Sequence, residues 1–183
     1  MNVMLEDIEE VLFTEREIQD KVAELALKVS HDYKDKELCI ITILRGAAIF
    51  LADFTRQLRD INFTIDFLVL FRGLSGKQGE VKIIKDLDHP IYKKHVLVVE
   101  DMIDMGESLH YVVQVLKLRE PAGIRICSLF EKPYRRTLPI SSDYTGFILP
   151  DKFVVGYGLD YHQKYRNLPF VATLKTNLTQ FGS

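Results

Sequence analysis

Cysteine is scarce in this sequence: Cys39 and Cys127 are the only two in 183 residues, and each sits inside an apolar run. Two distant thiols build neither a disulfide framework nor a thiolate metal cluster, so both are expected to be buried and inert. His/Cys spacing suited to a transition metal is also missing, and His89 and His95 read as surface residues near a strand start. There is no block of five or more Lys/Arg, and the formal charge is only -2, which excludes a general nucleic-acid or anionic-membrane binder. No run approaches the roughly 18 apolar residues of a membrane span. Residues 1–10 are acidic where a secretory leader needs a basic flank and an apolar core. These absences predict a cytosolic protein that acts on small molecules, with neither nucleic acid nor membrane among its partners. No repeat, low-complexity tract or linker divides the chain, so one domain over 1–183 is expected, and 47% hydrophobic residues suffice for its core.

Apolar Ile18, Val22, Leu25, Ala26 and Val29 recur at helical spacing and predict an amphipathic helix over 15–29. Residues 38–44 form a β-branched apolar run ended by Arg45-Gly46, the pattern of a strand buried on both faces. A helical stripe of Ala47, Leu51, Phe54 and Leu58 follows. Further strands are predicted over 65–71, 81–84, 95–100, 124–130, 144–148 and 153–157. A helix marked by Leu109, Val112, Val113 and Leu116 is expected to stop at Pro121. Strand and helix alternate with short connections, which predicts an α/β protein with a doubly wound, mainly parallel sheet and flanking helices. Ligands of such folds bind beyond the carboxyl ends of the strands. The loops after Leu44, Phe71, Glu100 and Phe130 are therefore the ones that carry chemistry.

The segment after the strand at 95–100 is the most informative. Glu100, Asp101 and Asp104 supply three carboxylates, Gly106 permits close backbone approach, and Glu107 and Ser108 open a helix. A helix N-terminus with a hydroxyl and a glycine turn suits a phosphate, and fixed carboxylates suit a ribose diol or Mg2+ held through water. Helix capping alone explains Asp104, Glu107 and Ser108, but it gives no use to the adjacent Glu100 and Asp101. A nucleotide P-loop at Ser75-Gly76-Lys77 is excluded, because its first glycine would fall on Phe71 and Gln78 stands where Ser/Thr is required.

This segment resembles the signature of the purine phosphoribosyltransferases of the hypoxanthine-guanine type, an apolar strand followed by E-D-x-x-D-[TS]-G-x-[TS]. Leu44-Arg45-Gly46 is similar to the family's pyrophosphate loop, residues 81–87 to the strand after its mobile flap, and Glu131-Lys132-Pro133 to its base-reading loop. Residues 153–161 and 164–168 complete the match in the same order. The resemblance implies a phosphoribosyltransferase-like fold with a small hood built from the chain ends. It implies phosphoribosyl pyrophosphate and a 6-oxopurine base as substrates, Mg2+ as cofactor, and a homodimer or homotetramer. It assigns Asp104 as the general base at purine N7. Glu100 and Asp101 would hold the ribose hydroxyls, and with Asp160 the metal; Met105, Gly106, Glu107 and Ser108 would hold the 5'-phosphate. Arg45, Gly46 and Arg166 would meet the pyrophosphate, with Arg136 a further candidate. Lys132, Phe153, Val154 and Asp160 would line the purine. The family also often has a cis peptide at the position of Leu44-Arg45.

The pattern departs in two places. Met105 stands where the family has Thr or Ser, and the flap's Ser-Tyr pair has no counterpart in 70–79, where Arg72 or Lys77 is the substitute at hand. These departures leave open a phosphoribosyltransferase-like regulator that binds nucleotides, or nucleic acid, without turning over; a separate alternative keeps the chemistry and changes the base to xanthine or a related 6-oxopurine.

Overall fold

The computed structural model describes residues 6–72 and 81–175. Strand β1 (Ile8–Phe13) leads into helix α1 (Glu15–Asp32). Thr14 starts the helix with a reciprocal cap: Glu17 N donates to Thr14 Oγ1 at 3.3 Å and Thr14 N donates to Glu17 Oε2 at 2.8 Å. Strand β2 (Glu37–Leu44) and helix α2 (Ala48–Gln57) follow, then β3 (Asn62–Arg72), β4 (Val81–Lys85) and β5 (His95–Ile103). Helix α3 (Glu107–Lys117), β6 (Gly123–Glu131), β7 (Tyr144–Ile148), β8 (Val154–Val155) and β9 (Val171–Leu174) complete the chain order.

The main sheet has the order β4-β3-β2-β5-β6-β7. All its pairings are parallel except β3 with β4. Period-two alternation assigns its side chains to two faces. Leu38, Ile40, Leu97, Val99, Cys127 and Leu129 pack under α1 and α2. Cys39, Ile41, Val96, Val98 and Ile126 pack under α3. Burying each such aliphatic side chain contributes roughly 1.5–3 kcal/mol, which is why these strands read as unbroken apolar runs. The two cysteines are free and buried, on opposite faces of the sheet. His89 is exposed, and His95 lies half-buried, edge-on to Tyr33.

A second sheet of order β1-β9-β8 draws the two chain ends together as a hood. The strand expected over 153–157 is only two residues long, since Gly156 and Gly158 take φ of +100° and +98° and Tyr157 takes +48°. A side chain on Gly158 would meet Gly46 O at 2.2 Å, so this turn seats the hood on the loop after β2. Other boundaries differ from expectation as well, among them α1 running on to Asp32 and β3 beginning at Asn62. β5 runs on past Glu100, because Met102 and Ile103 pair with Phe130 and Glu131. α3 ends at Lys117, tapering through Arg119 N to Leu116 O and Glu120 N to Lys117 O before Pro121 is reached. No helix among the described residues is long and apolar enough to cross a membrane.

Candidate active site

The carboxyl ends of β2, β5 and β6 and the underside of the hood enclose two adjoining cavities of about 470 and 810 Å3, sharing Gly46, Asp101 and Asp104. Both lie in the size range of small-ligand sites.

The first cavity is built by β5 and the start of α3. Gly106 caps the helix with φ +87°, a left-handed conformation open to glycine without strain. It turns the first N–H groups of α3 and Ser108 toward the cavity that Met105, Gly106, Glu107 and Ser108 line. Glu100 is 8% exposed on the strand. Asp101 accepts a hydrogen bond from Met102 N at 2.8 Å. Burial pushes its pKa up to about 6, against the pull of its backbone N–H contacts and of Arg166; Asp160 adds to the rise. On the opposite wall the Leu44-Arg45 peptide is cis. Gly46 comes so close that a side-chain carbon there would sit 1.8 Å from Asp101 Oδ2.

Asp104 stands at the seam of the two cavities. Its Oδ1 lies 2.8 Å from Arg135 Nε as an ion pair, with the N–H directed off the line, so this buried oxygen accepts no hydrogen bond. Lys132, only 4% exposed, donates from Nζ to Lys152 O at 2.6 Å. Its burial lowers its pKa below the ordinary lysine value, partly offset by Asp104. This is a placed ammonium, not a solvated surface lysine. Phe153 is half exposed on the second cavity, edge-on to Tyr161 at 5.6 Å, and Val154 is buried beside it in β8.

The third group comes from the hood. Arg166 pairs with Asp160 Oδ1 at 2.7 Å and donates to Gly158 O at 2.7 Å. Asp160 also accepts from Gln163 N at 2.8 Å. Arg45 reaches this wall by donating to Gln163 Oε1 at 3.1 Å, the same oxygen that Arg166 contacts at 3.0 Å.

Among the described residues, the structure thus gathers the candidate site residues around one cleft, with Arg45 reaching it through Gln163 and Arg136 excepted. That side chain is 13% exposed and paired with Glu131 Oε2 at 2.6 Å, and it donates to Ile103 O, Asp104 O and Ile140 O. All three of its guanidinium nitrogens are engaged inside the protein, so it is not placed to serve as a pyrophosphate ligand. Arg135, Asp151 and Gln163 line the cleft without having been anticipated. Only the closeness of Arg135 to Lys132, in the turn that Pro133 begins, offered a signal for any of them. Residues 73–80, which include Lys77, lie outside the described residues, as does the side chain of Arg72.

A family model described as phosphoribosyl transferase domain matches residues 10–162. The chain is 42% identical over 175 residues to the hypoxanthine-guanine phosphoribosyltransferase of Bacillus subtilis strain 168, covering 94% of this chain and 97% of that one. It is 44% identical over 166 residues to the hypoxanthine phosphoribosyltransferase of Buchnera aphidicola subsp. Schizaphis graminum, covering 88% and 93%. The solved hypoxanthine phosphoribosyltransferase of Staphylococcus aureus in its tetragonal form superposes with a TM-score of 0.94 at 41% identity, over 98% of each chain.

Proposed function

The chain belongs to the phosphoribosyltransferase family, and from that premise we propose that it joins hypoxanthine or guanine to the ribose of phosphoribosyl pyrophosphate, a purine-salvage reaction giving IMP or GMP and pyrophosphate. The observation that carries the reading is Asp104 at the seam of two cavities, one lined by the N-terminus of α3 and one holding a buried lysine.

In the reaction the electron pair of the C1–O bond leaves with pyrophosphate, purine N9 bonds to C1, and the N7 proton passes to a base. The sugar becomes oxocarbenium-like, as in glycoside hydrolysis. Asp104 offers Oδ1, ion-paired with Arg135 but accepting no hydrogen bond, to N7. Lys132 donates to O6 of a 6-oxopurine, whereas adenine presents an amino donor there. Phe153 supplies a ring to stack on the base, and the Val154 backbone supplies polar groups to its Watson–Crick edge. Glu100 and Asp101 accept from the ribose hydroxyls. The N–H groups of residues 106–108 and Ser108 hold the 5'-phosphate at the positive end of α3. Arg45, the Gly46 backbone and Arg166 meet the charge that grows on pyrophosphate.

Asp101 and Asp160 present carboxylates to one cavity, and among the described residues no three His, Cys, Asp or Glu side chains form a protein cage for a metal. That donor set fits Mg2+, which takes one or two carboxylates and keeps water and phosphate oxygens. Asp160 and Asp101 would hold it, with Glu100 beside them, and when bound it neutralises charge on the pyrophosphate oxygens. Assembly as a homodimer or homotetramer is part of the same reading.

Purified protein mixed with phosphoribosyl pyrophosphate, Mg2+ and each of hypoxanthine, guanine, xanthine and adenine tests it. Nucleotide formation with 6-oxopurines that falls steeply, to a small residual rate, in Asp104→Asn is the expected result. Binding of phosphoribosyl pyrophosphate with no base converted would overturn the enzyme reading in favour of a regulator.

A further inference from the structure

Three successive carbonyls of the loop that carries Asp104 all face one segment of the chain. Ile103 O accepts from Lys132 N at 3.0 Å and from Arg136 Nη1 at 2.5 Å. Asp104 O accepts from the same Arg136 nitrogen. Met105 O accepts from Thr137 N at 3.2 Å and from Thr137 Oγ1 at 3.3 Å. The guanidinium that makes the central contacts is itself fixed, by Glu131 Oε2 at 2.6 Å and Ile140 O at 3.1 Å. Glu131 is 5% exposed, and its other oxygen accepts from Ser142 and Thr145. Packing repeats what the hydrogen bonds do, since a side-chain carbon on Gly106 would lie 2.5 Å from Ile140 Cγ2 and 3.5 Å from Arg136 Cδ.

We propose that Arg136 is a positioning residue that locks the base-reading loop to the loop of Asp104, setting the direction of the Asp104 carboxylate through the main chain. The inference rests on the phosphoribosyl-transfer reading and adds to it a residue that touches no substrate. Arginine suits the task for a geometric reason. Its planar fork reaches three carbonyls and a carboxylate together, whereas a lysine ammonium is a single point donor. The same link ties Lys132, which would read the base, to the N–H groups of residues 106–108, which would hold the phosphate.

Arg136→Lys keeps the charge beside Glu131 and loses the bridge between carbonyls. Its kcat is expected to fall about tenfold or more in the wild-type background, with a smaller change in the KM for hypoxanthine, and to fall less than about twofold in the Asp104→Asn background. Equal losses in both backgrounds would assign Arg136 a general structural role and overturn the proposal. Amide hydrogen exchange supplies a readout independent of turnover. Protection at the amides of Lys132 and Thr137, which donate to Ile103 O and Met105 O, should drop in Arg136→Lys while that of Val96 to Val99 holds, and unchanged protection at these two amides would also overturn it. If Arg136→Lys fails to fold, the double variant Arg136→Met/Glu131→Gln, which removes both buried charges, takes its place with the same expectations. A wild-type protein that converts no base would count against the reaction itself, and the exchange data would still decide the coupling.

Discussion

Gly46 packs so closely on Asp101 that a side-chain carbon on the glycine would lie 1.8 Å from Oδ2 of the aspartate. The two come from different strands, so this contact is where the loop after β2 meets β5. Gly46→Ala must push the Asp101 carboxylate aside, since the short side chain offers no other relief. We expect the variant to fold, with KM for phosphoribosyl pyrophosphate raised about tenfold or more, the cost of losing roughly one charged hydrogen bond. Steady-state kinetics at saturating hypoxanthine, with circular dichroism as the folding control, checks this. An unchanged KM would place Asp101 outside the ribose site.

Asp101 also predicts a pH dependence of stability. Its folded pKa of about 6 stands above the ordinary 3.8, so between those values the folded protein binds more protons than the unfolded chain. Stability from this group is then greatest at low pH and is lost as pH rises through about 6, by at most about 3 kcal/mol. Asp101→Asn should accordingly be more stable than the parent at pH 8, with the gap closing toward pH 4, while it binds phosphoribosyl pyrophosphate more weakly. Urea unfolding at both pH values without Mg2+ would show it; a gap that widens on acidification would contradict the burial argument.

Lys132 is buried against the carbonyl of Lys152. Replacing it by Met removes the donor to O6 and should reduce kcat/KM for hypoxanthine by about 10- to 100-fold, while leaving adenine unconverted. Its lowered pKa adds a sign: kcat/KM should decline on the alkaline side at a pH below the ordinary lysine range, as the ammonium is lost. A pH–rate profile of the wild type beside Lys132→Met separates the two effects, since the variant should lack that alkaline limb.

Some of this site was legible in the residues and some was not. Strands such as β2 and β5 were visible because both faces of a parallel strand are apolar, and Asp104 because its neighbours form a dense local pattern. The hood strands β1 and β9 were expected only as a hood, because Ile8–Phe13 carries adjacent glutamates and pairs across almost the whole chain with Val171–Leu174. The run from Phe153 to Tyr157 read as strand because apolar periodicity does not register the positive φ at residues 156–158. Arg136 was misassigned for a different reason. Sequence places an arginine in a loop, but only the fold shows that a buried Glu131 draws its guanidinium inward. Arg135 and Gln163 owe their roles to contacts across the cleft, with Asp104 and with Arg45, that no local spacing encodes.

Met105 is the departure with the clearest remedy. It lines the first cavity between Asp104 and Gly106 and is 39% exposed, so its thioether fills the place of a family hydroxyl without burying itself. Its carbonyl is already held by Thr137, so the backbone should keep its course when the side chain is changed. Met105→Thr should therefore add one hydrogen bond to the 5'-phosphate and lower the KM for phosphoribosyl pyrophosphate by about 10- to 100-fold, with thermal stability little altered. Titration of phosphoribosyl pyrophosphate against the variant and the parent measures it. A lower KM would show that the parent holds the 5'-phosphate without a side-chain contact from position 105. An unchanged KM would mean that the phosphate sits beyond reach of the side chain at 105, and the missing hydroxyl would cease to be an argument about rate.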